Sequence, residues 1–259
     1  LRVEKLKQSS LFETMKERCR KVKPDIEQFK RYQKAAHGLI KYITMAVEND
    51  EDFTLTKYCS QNNVVVSIGH SNATYEQAVQ AYGHGARSMT HVYNAMTPFT
   101  HRANGLVGGA LRIRNMYGEI ICDGNHSTRA ALNNFFTSKG TDYSIMVTDS
   151  LMCKGFPVGT KFDFGGQEVV IYPDGSAHLV EAGNLAGSTL NVNKGLKILI
   201  EDALVPVNYA INACTSNPAR CLHVDDRKGT IGVGYDADLV VLDRDYEVVQ
   251  TYCKGIGQK

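Results

Sequence analysis

Val64-Val65-Val66-Ser67-Ile68-Gly69-His70-Ser71-Asn72-Ala73-Thr74-Tyr75-Glu76-Gln77 reads as a short apolar run, a polar turn and the opening of a helix. The run is rich in β-branched residues, which suit a buried, pleated strand. Thr74 and Gln77 have the spacing of a capping box, and the helix they open runs toward Gly83. The same unit recurs along the chain. Leu39–Thr44 is an earlier run, and Ala86–Thr90 ends in His91. Tyr117–Cys122 ends in Asp123-Gly124-Asn125-His126, with a helix from about Thr128 to Ser138 that stops at Gly140. Tyr143–Val147 ends in Thr148-Asp149. Apolar runs joined by helices predict a parallel sheet with both faces covered.

Such a sheet is either a (β/α) barrel or an open doubly wound sheet. His70, His91, His126 and Asp149 each fall at or just beyond the C-terminal end of a different run. In a barrel those ends converge on one face, where the active site is built. An open sheet binds its ligand at a switch point, usually beside a glycine-rich phosphate loop after the first strand. Gly105-Leu106-Val107-Gly108-Gly109 follows no run and lacks the lysine of such a loop. The barrel is therefore the expected fold.

Outside this rhythm the pattern changes. Leu11, Met15, Cys19 and Val22 recur at helical spacing, Pro24 interrupts, and Asp25–Ala36 predicts a second helix capped by Asp25 and ended by Gly38. Val158–Val180 predicts strands and turns. Ser188–Ala203 and Val207–Leu222 predict helices, and Thr230–Gly234, Ala237–Leu242 and Val248–Tyr252 predict a small β appendage.

The 259 residues carry a net charge of +2 and 43% hydrophobic residues, which suits a globular chain rather than a disordered one. Residues 1–34 hold eleven Lys/Arg against five Asp/Glu, which reads as a solvated helix face and not as a nucleic-acid contact. No apolar run approaches the ~18 residues of a membrane span. The seven cysteines form no C-x-x-C pair, as expected of reduced thiols in a cytoplasmic protein.

Two imidazoles at adjacent strand ends, His70 and His91, could hold a divalent metal ion such as zinc, iron or manganese. A water on such an ion ionises near neutral pH and becomes a nucleophile. Asp149 could take that proton and pass it to a leaving group, and His126 could bind the substrate. The constellation predicts metal-assisted hydrolysis. His37, His84 and His178 fall in structural contexts, and Asp236 and Asp238 read as turn residues.

Val65–Thr74, Thr90-His91-Val92-Tyr93-Asn94-Ala95-Met96, Asp123–His126, Thr148-Asp149, Leu185–Ser188, Asn217-Pro218-Ala219-Arg220 and Gly234–Leu239 together resemble the motifs of the N-acetylglucosamine-6-phosphate deacetylases, a family of the amidohydrolase superfamily. The resemblance implies a (β/α)8 TIM-type barrel with a small β-sandwich, and removal of acetate from N-acetylglucosamine 6-phosphate. It implies His70 and His91 as metal ligands and Asp149 as general base, then acid. It implies that His126 binds the sugar, that Asn94 and the backbone of Ala95 bind the phosphate, and that Arg102 reaches the substrate of the neighbouring subunit in a homodimer. Neither nucleic acid nor membrane is an implied partner.

The family's upstream metal-ligand glutamate, in a His-Leu-Glu-Gly-Pro motif, has no match in this chain. Ser150 and His223 stand where the family usually has alanine and glycine. The resemblance covers roughly the C-terminal two thirds of the family's length, so the barrel is expected to lack its first strands. The expected division is residues 1–223 as barrel portion, with a β insertion near 158–180, and 224–259 as sandwich strands. A non-catalytic chain retaining only sugar-phosphate binding or a dimer surface is the alternative, and another amidohydrolase deacylase the third reading.

Overall fold

The computed structural model describes residues 23–258. The helical pattern from Leu11 to Val22 lies outside them. The first described helix, α1 (Ile26–Ala35), starts where Asp25 accepts the Gln28 N–H at 2.6 Å. That bond satisfies one of the donors left free at a helix start.

Five strands form one sheet: β1 (Tyr42–Met45), β2 (Val65–Ile68), β3 (Ser88–Met89), β4 (Tyr117–Ile121) and β5 (Ser144–Val147). Their spatial order equals their chain order, and every neighbouring pair is parallel. The order never reverses, so the sheet has no switch point, and each crossover adds the next strand in the same direction. This is the winding of a (β/α) barrel. A closed barrel of this kind has eight strands, and the described residues contribute five. The edges of β1 and β5 away from their neighbours have no partner in that sheet.

Between the strands lie α2 (Thr54–Gln61), α3 (Tyr75–Gly83), α4 (Gly105–Arg112) and α5 (Arg129–Lys139). The capping box of α3 is present in both directions. Sequence pattern did not single out α2, whose Thr, Tyr and Cys are modest helix formers. Its start is held instead by the buried Asp50 carboxylate, which accepts Leu55 N–H at 3.0 Å and Thr56 N–H at 2.8 Å. The glycine-rich segment from Gly105 is α4, where the glycines serve packing. A Cβ on Gly109 would lie 3.2 Å from Ala78 Cβ and 3.3 Å from Met89 Cε.

The strands alternate between two faces. Val66, Ile68, Met89 and Ile120 point outward into one large core with Leu132 and Phe135 of α5. Tyr42, Val65, Tyr117, Ile145 and Val147 point inward and meet Cys221.

After β5 the chain forms an antiparallel sheet of β6 (Lys161–Phe164), β7 (Gln167–Ile171) and β8 (Ala177–Leu179), as its turn-rich sequence predicted. Then α6 (Val192–Lys197) runs into a π-helical turn at Ile198–Asp202. The long helix expected over Val207–Leu222 is two, α7 (Val207–Cys214) and α8 (Ser216–Cys221), because Thr215 between them leaves helical geometry at φ −132° and ψ −84°. A last antiparallel sheet has the order β11-β10-β9, with β9 (Leu239–Leu242), β10 (Val248–Cys253) and β11 (Ile256–Gln258). Thr230–Gly234 is not a strand: Ile231 and Val233 are exposed, and no described strand pairs with it. No described helix is long and apolar enough to cross a membrane. The six described cysteines are free thiols.

Candidate active site at the strand ends

His70 follows β2 by two residues, His91 follows β3 by two, and Asp149 follows β5 by two. All three have positive φ: 48° at His70, 32° at His91 and 47° at Asp149. Side chains other than glycine rarely adopt that region, and it costs on the order of 1–3 kcal/mol. The same conformation at three strand ends turns three side chains out of the sheet at equivalent places.

The loops around them are cross-tied. Gly69 precedes His70 where a Cβ would stand 2.6 Å from Thr90 Cβ, so only glycine lets β2 and β3 approach there. Glu48, in the turn after β1, accepts the Ser71 hydroxyl at 2.5 Å and the Asn72 N–H at 2.6 Å. Ser71 N–H donates to the Ala95 carbonyl at 3.1 Å, which joins the two histidine loops. The loop of Asp149 is clamped by Ser188, whose N–H donates to the Asp149 carbonyl at 2.8 Å and whose hydroxyl donates to the Thr148 carbonyl.

His91 and His70 bring their Nε2 atoms to 2.9 Å of each other, with the rings edge to face. His91 is buried, and its Nδ1–H donates to the Asn94 carbonyl at 3.1 Å. That bond leaves the Nε2 lone pair of His91 pointing at His70. Burial holds His91 below the usual imidazole range, the neighbouring His70 adds to this, and Asp149 acts in the opposite sense. His91 thus sits within electrostatic reach of both other candidates. Asp149 and His70 are exposed.

Two converging imidazole nitrogens suit a borderline divalent ion. The described residues supply no third His, Cys, Asp or Glu to the pair. Glu48, in the turn after β1, is tied to the His70 loop, with one oxygen accepting from Ser71 and the other from Asn72.

His126, beyond β4, is fixed by Asp123, whose Oδ2 accepts its Nδ1–H at 2.6 Å. Asn94 and Ala95 lie in the turn after His91, with Tyr93 and Ala95 also at positive φ, 79° and 49°. Arg102 lies exposed in the loop before α4 and makes no side-chain hydrogen bond among the described residues. The fold therefore brings His70, His91 and Asp149 together, sets His126 in the loop beyond the strand that lies between those of the last two, and leaves Arg102 in an exposed loop before α4.

Sequence reading passed over a polar layer beneath the histidines. Glu119 of β4 points inward, accepts the Tyr42 hydroxyl and lies 3.4 Å from the Ser88 hydroxyl. Ser67 and Thr44 meet the Thr90 hydroxyl at 2.7 and 2.9 Å. Burial pushes the Glu119 carboxyl up to about 7. The visible signal was one glutamate inside an apolar run.

A parallel β/α sheet that presents imidazoles and a carboxylate from successive strand ends is the architecture of the (β/α)-barrel hydrolases. The chain belongs to the amidohydrolase family, whose model matches residues 7–256. It is 40% identical over 231 residues to the N-acetylglucosamine-6-phosphate deacetylase of Bacillus subtilis (strain 168), covering 89% of this chain and 58% of that one. It is 32% identical to the N-acetylgalactosamine-6-phosphate deacetylase of Escherichia coli O157:H7, covering 83% and 56%. The crystal structure of N-acetylglucosamine-6-phosphate deacetylase from Pasteurella multocida matches with a TM-score of 0.83 at 30% identity, over 92% of this chain and 61% of that one. The chain thus spans somewhat under two thirds of the relatives it matches.

Proposed function

We propose that the protein is a metal-dependent hydrolase that removes the acetyl group from N-acetylglucosamine 6-phosphate, giving glucosamine 6-phosphate and acetate. The observation that carries this is the 2.9 Å approach of the His70 and His91 Nε2 atoms beside Asp149. His70 and His91 would hold the ion, with a further ligand from outside the described residues. A divalent ion there would supply an acidified water and polarise the amide carbonyl. Asp149 accepts the proton of the attacking water on a carboxylate oxygen and returns it to the departing amine nitrogen. Asn94 and the Ala95 N–H bind the phosphate, His126 binds the sugar, and Arg102 reaches the partner subunit's substrate in a homodimer. The site lies in residues 1–223, and residues 224–259 contribute strands to a small sandwich. A cytoplasmic location suits a phosphorylated sugar.

The test is an elemental metal count with acetate release measured on the same sample. Metal near one per chain, with acetate released and lost in Asp149→Asn, is the expected result. The sugar should be offered in both C4 epimers, because relatives act on N-acetylglucosamine and N-acetylgalactosamine phosphates. A second reading, a non-catalytic chain that retains only sugar-phosphate binding or a dimer surface, is favoured by the missing third ligand among the described residues. Neither metal nor acetate would establish that reading instead.

A further inference from the structure

We propose that Asp123 is a positioning residue: it fixes the proton of His126 on Nδ1 and so presents Nε2 to the sugar as a hydrogen-bond acceptor. The sugar as ligand rests on the function proposed above; the tautomer does not.

A carboxylate can only accept, so the 2.6 Å contact between Asp123 Oδ2 and His126 Nδ1 requires the hydrogen to sit on Nδ1. The other oxygen, Oδ1, is committed elsewhere. It accepts the N–H of Asn125 at 2.9 Å and the N–H of His126 at 2.8 Å, a closed turn that Gly124 permits at φ +77°. Burial alone would raise the Asp123 carboxyl, but these bonds hold it below the usual range. Both side chains are nearly covered, at 6% and 10% exposure. Among the described residues His126 Nε2 has no partner of its own. A neutral imidazole held this way has a bare Nε2, which suits a hydroxyl donor on the ligand.

The two backbone bonds make the hypothesis sharp. In Asp123→Asn the amide oxygen stays on the two N–H groups, because the NH2 cannot accept from them. The NH2 then faces Nδ1 and must donate to it, so the imidazole hydrogen moves to Nε2. An isosteric change thus reverses the acceptor into a donor without removing a contact.

The readout is the pair of imidazole nitrogens in the 15N-histidine-labelled protein, observed by long-range 1H–15N correlation above neutral pH, with His126→Gln identifying the signal. We expect Nδ1–H and bare Nε2 in the parent, and the reverse in Asp123→Asn. In an active preparation, Asp123→Asn should lower turnover on the order of 10²–10⁴-fold, and add nothing to the loss in His126→Gln. A parent His126 that carries its proton on Nε2, or stays doubly protonated, overturns the proposal even if the variant does not fold. So does an unchanged tautomer in folded Asp123→Asn, or a reversed tautomer with unimpaired turnover. Acetate release by no form of the protein would count against the proposed function and leave the tautomer result standing.

Discussion

The two faces of the five-stranded sheet are made from the same strands and do different things. On the outer face, Val66, Ile68, Met89 and Ile120 are fully buried under α3, α4 and α5. On the inner face, a small apolar cluster around Val65 and Ile145 sits beside the polar layer of Tyr42, Ser67, Ser88, Thr90 and Glu119. A period of two lets one strand serve both. The outer face supplies burial; the inner face holds polar groups that burial makes expensive unless each is bonded. The lesson is that stability and chemistry are separated across the thickness of one sheet.

The strongest way to break that contrast is to cut each face in turn. Phe135 is fully buried on α5, with its ring against Gly118 of β4. Phe135→Ala should cost about 3–5 kcal/mol, from lost transfer energy and the cavity left behind. Val147→Ala, on the partly buried inner cluster, should cost no more than about 1.5 kcal/mol. Urea midpoints at unchanged slope measure both. Equal costs would mean the two faces share the burden of folding.

The inner face has its own signature, which is pH. Glu119 is 8% exposed, and its carboxyl is raised from 4.5 to about 7, with burial the largest cause. Tyr42 on β1, Asp149 beyond β5 and Cys221 on α8 are the titratable groups around it. A carboxyl raised on folding favours the protonated form in the native state. Its stabilising contribution is therefore complete below pH 4.5 and is lost as pH rises toward 7. The swing is on the order of 3 kcal/mol. Glu119→Gln keeps a polar group for Tyr42 but carries no charge. It should flatten the fall in stability between those pH values and leave the protein more stable above 7. An unchanged slope would place the pH dependence elsewhere.

The outer face was the legible half. Runs such as Val64–Ile68 and Tyr143–Val147 announce buried strands, and the residues that end them announce a site. What escaped were features fixed by tertiary contact. α2 depends on the Asp50 carboxylate reaching five and six residues ahead, to Leu55 and Thr56. α4 was not singled out, because glycines are poor helix formers and those here serve contact with α3. Thr230–Gly234 has the residues of a strand and no described neighbour to pair with. Least legible were the positive φ angles of His70, His91, Ala95 and Asp149, since none of these residue types favours that region strongly enough to announce it.

That backbone strain gives the smallest test and the one that best separates support from chemistry. His70, His91 and Asp149 cannot be relaxed without losing the side chains that the proposed mechanism needs. Ala95 can, because it is exposed, and its connections to the histidine loops run through its backbone. At φ 49° its Cβ crowds the chain, whereas glycine adopts the same angle freely. The gain is reduced by the extra freedom glycine gives the unfolded chain. Ala95→Gly should therefore raise stability by a net 0.5–1 kcal/mol, roughly, read as a higher urea midpoint. The Ala95 N–H and carbonyl remain for the phosphate and for Ser71, so turnover should hold. A lower midpoint would mean that the loop's conformation is set by the methyl group's contacts rather than held against its cost, and the strain at the neighbouring histidines would need the same reassessment.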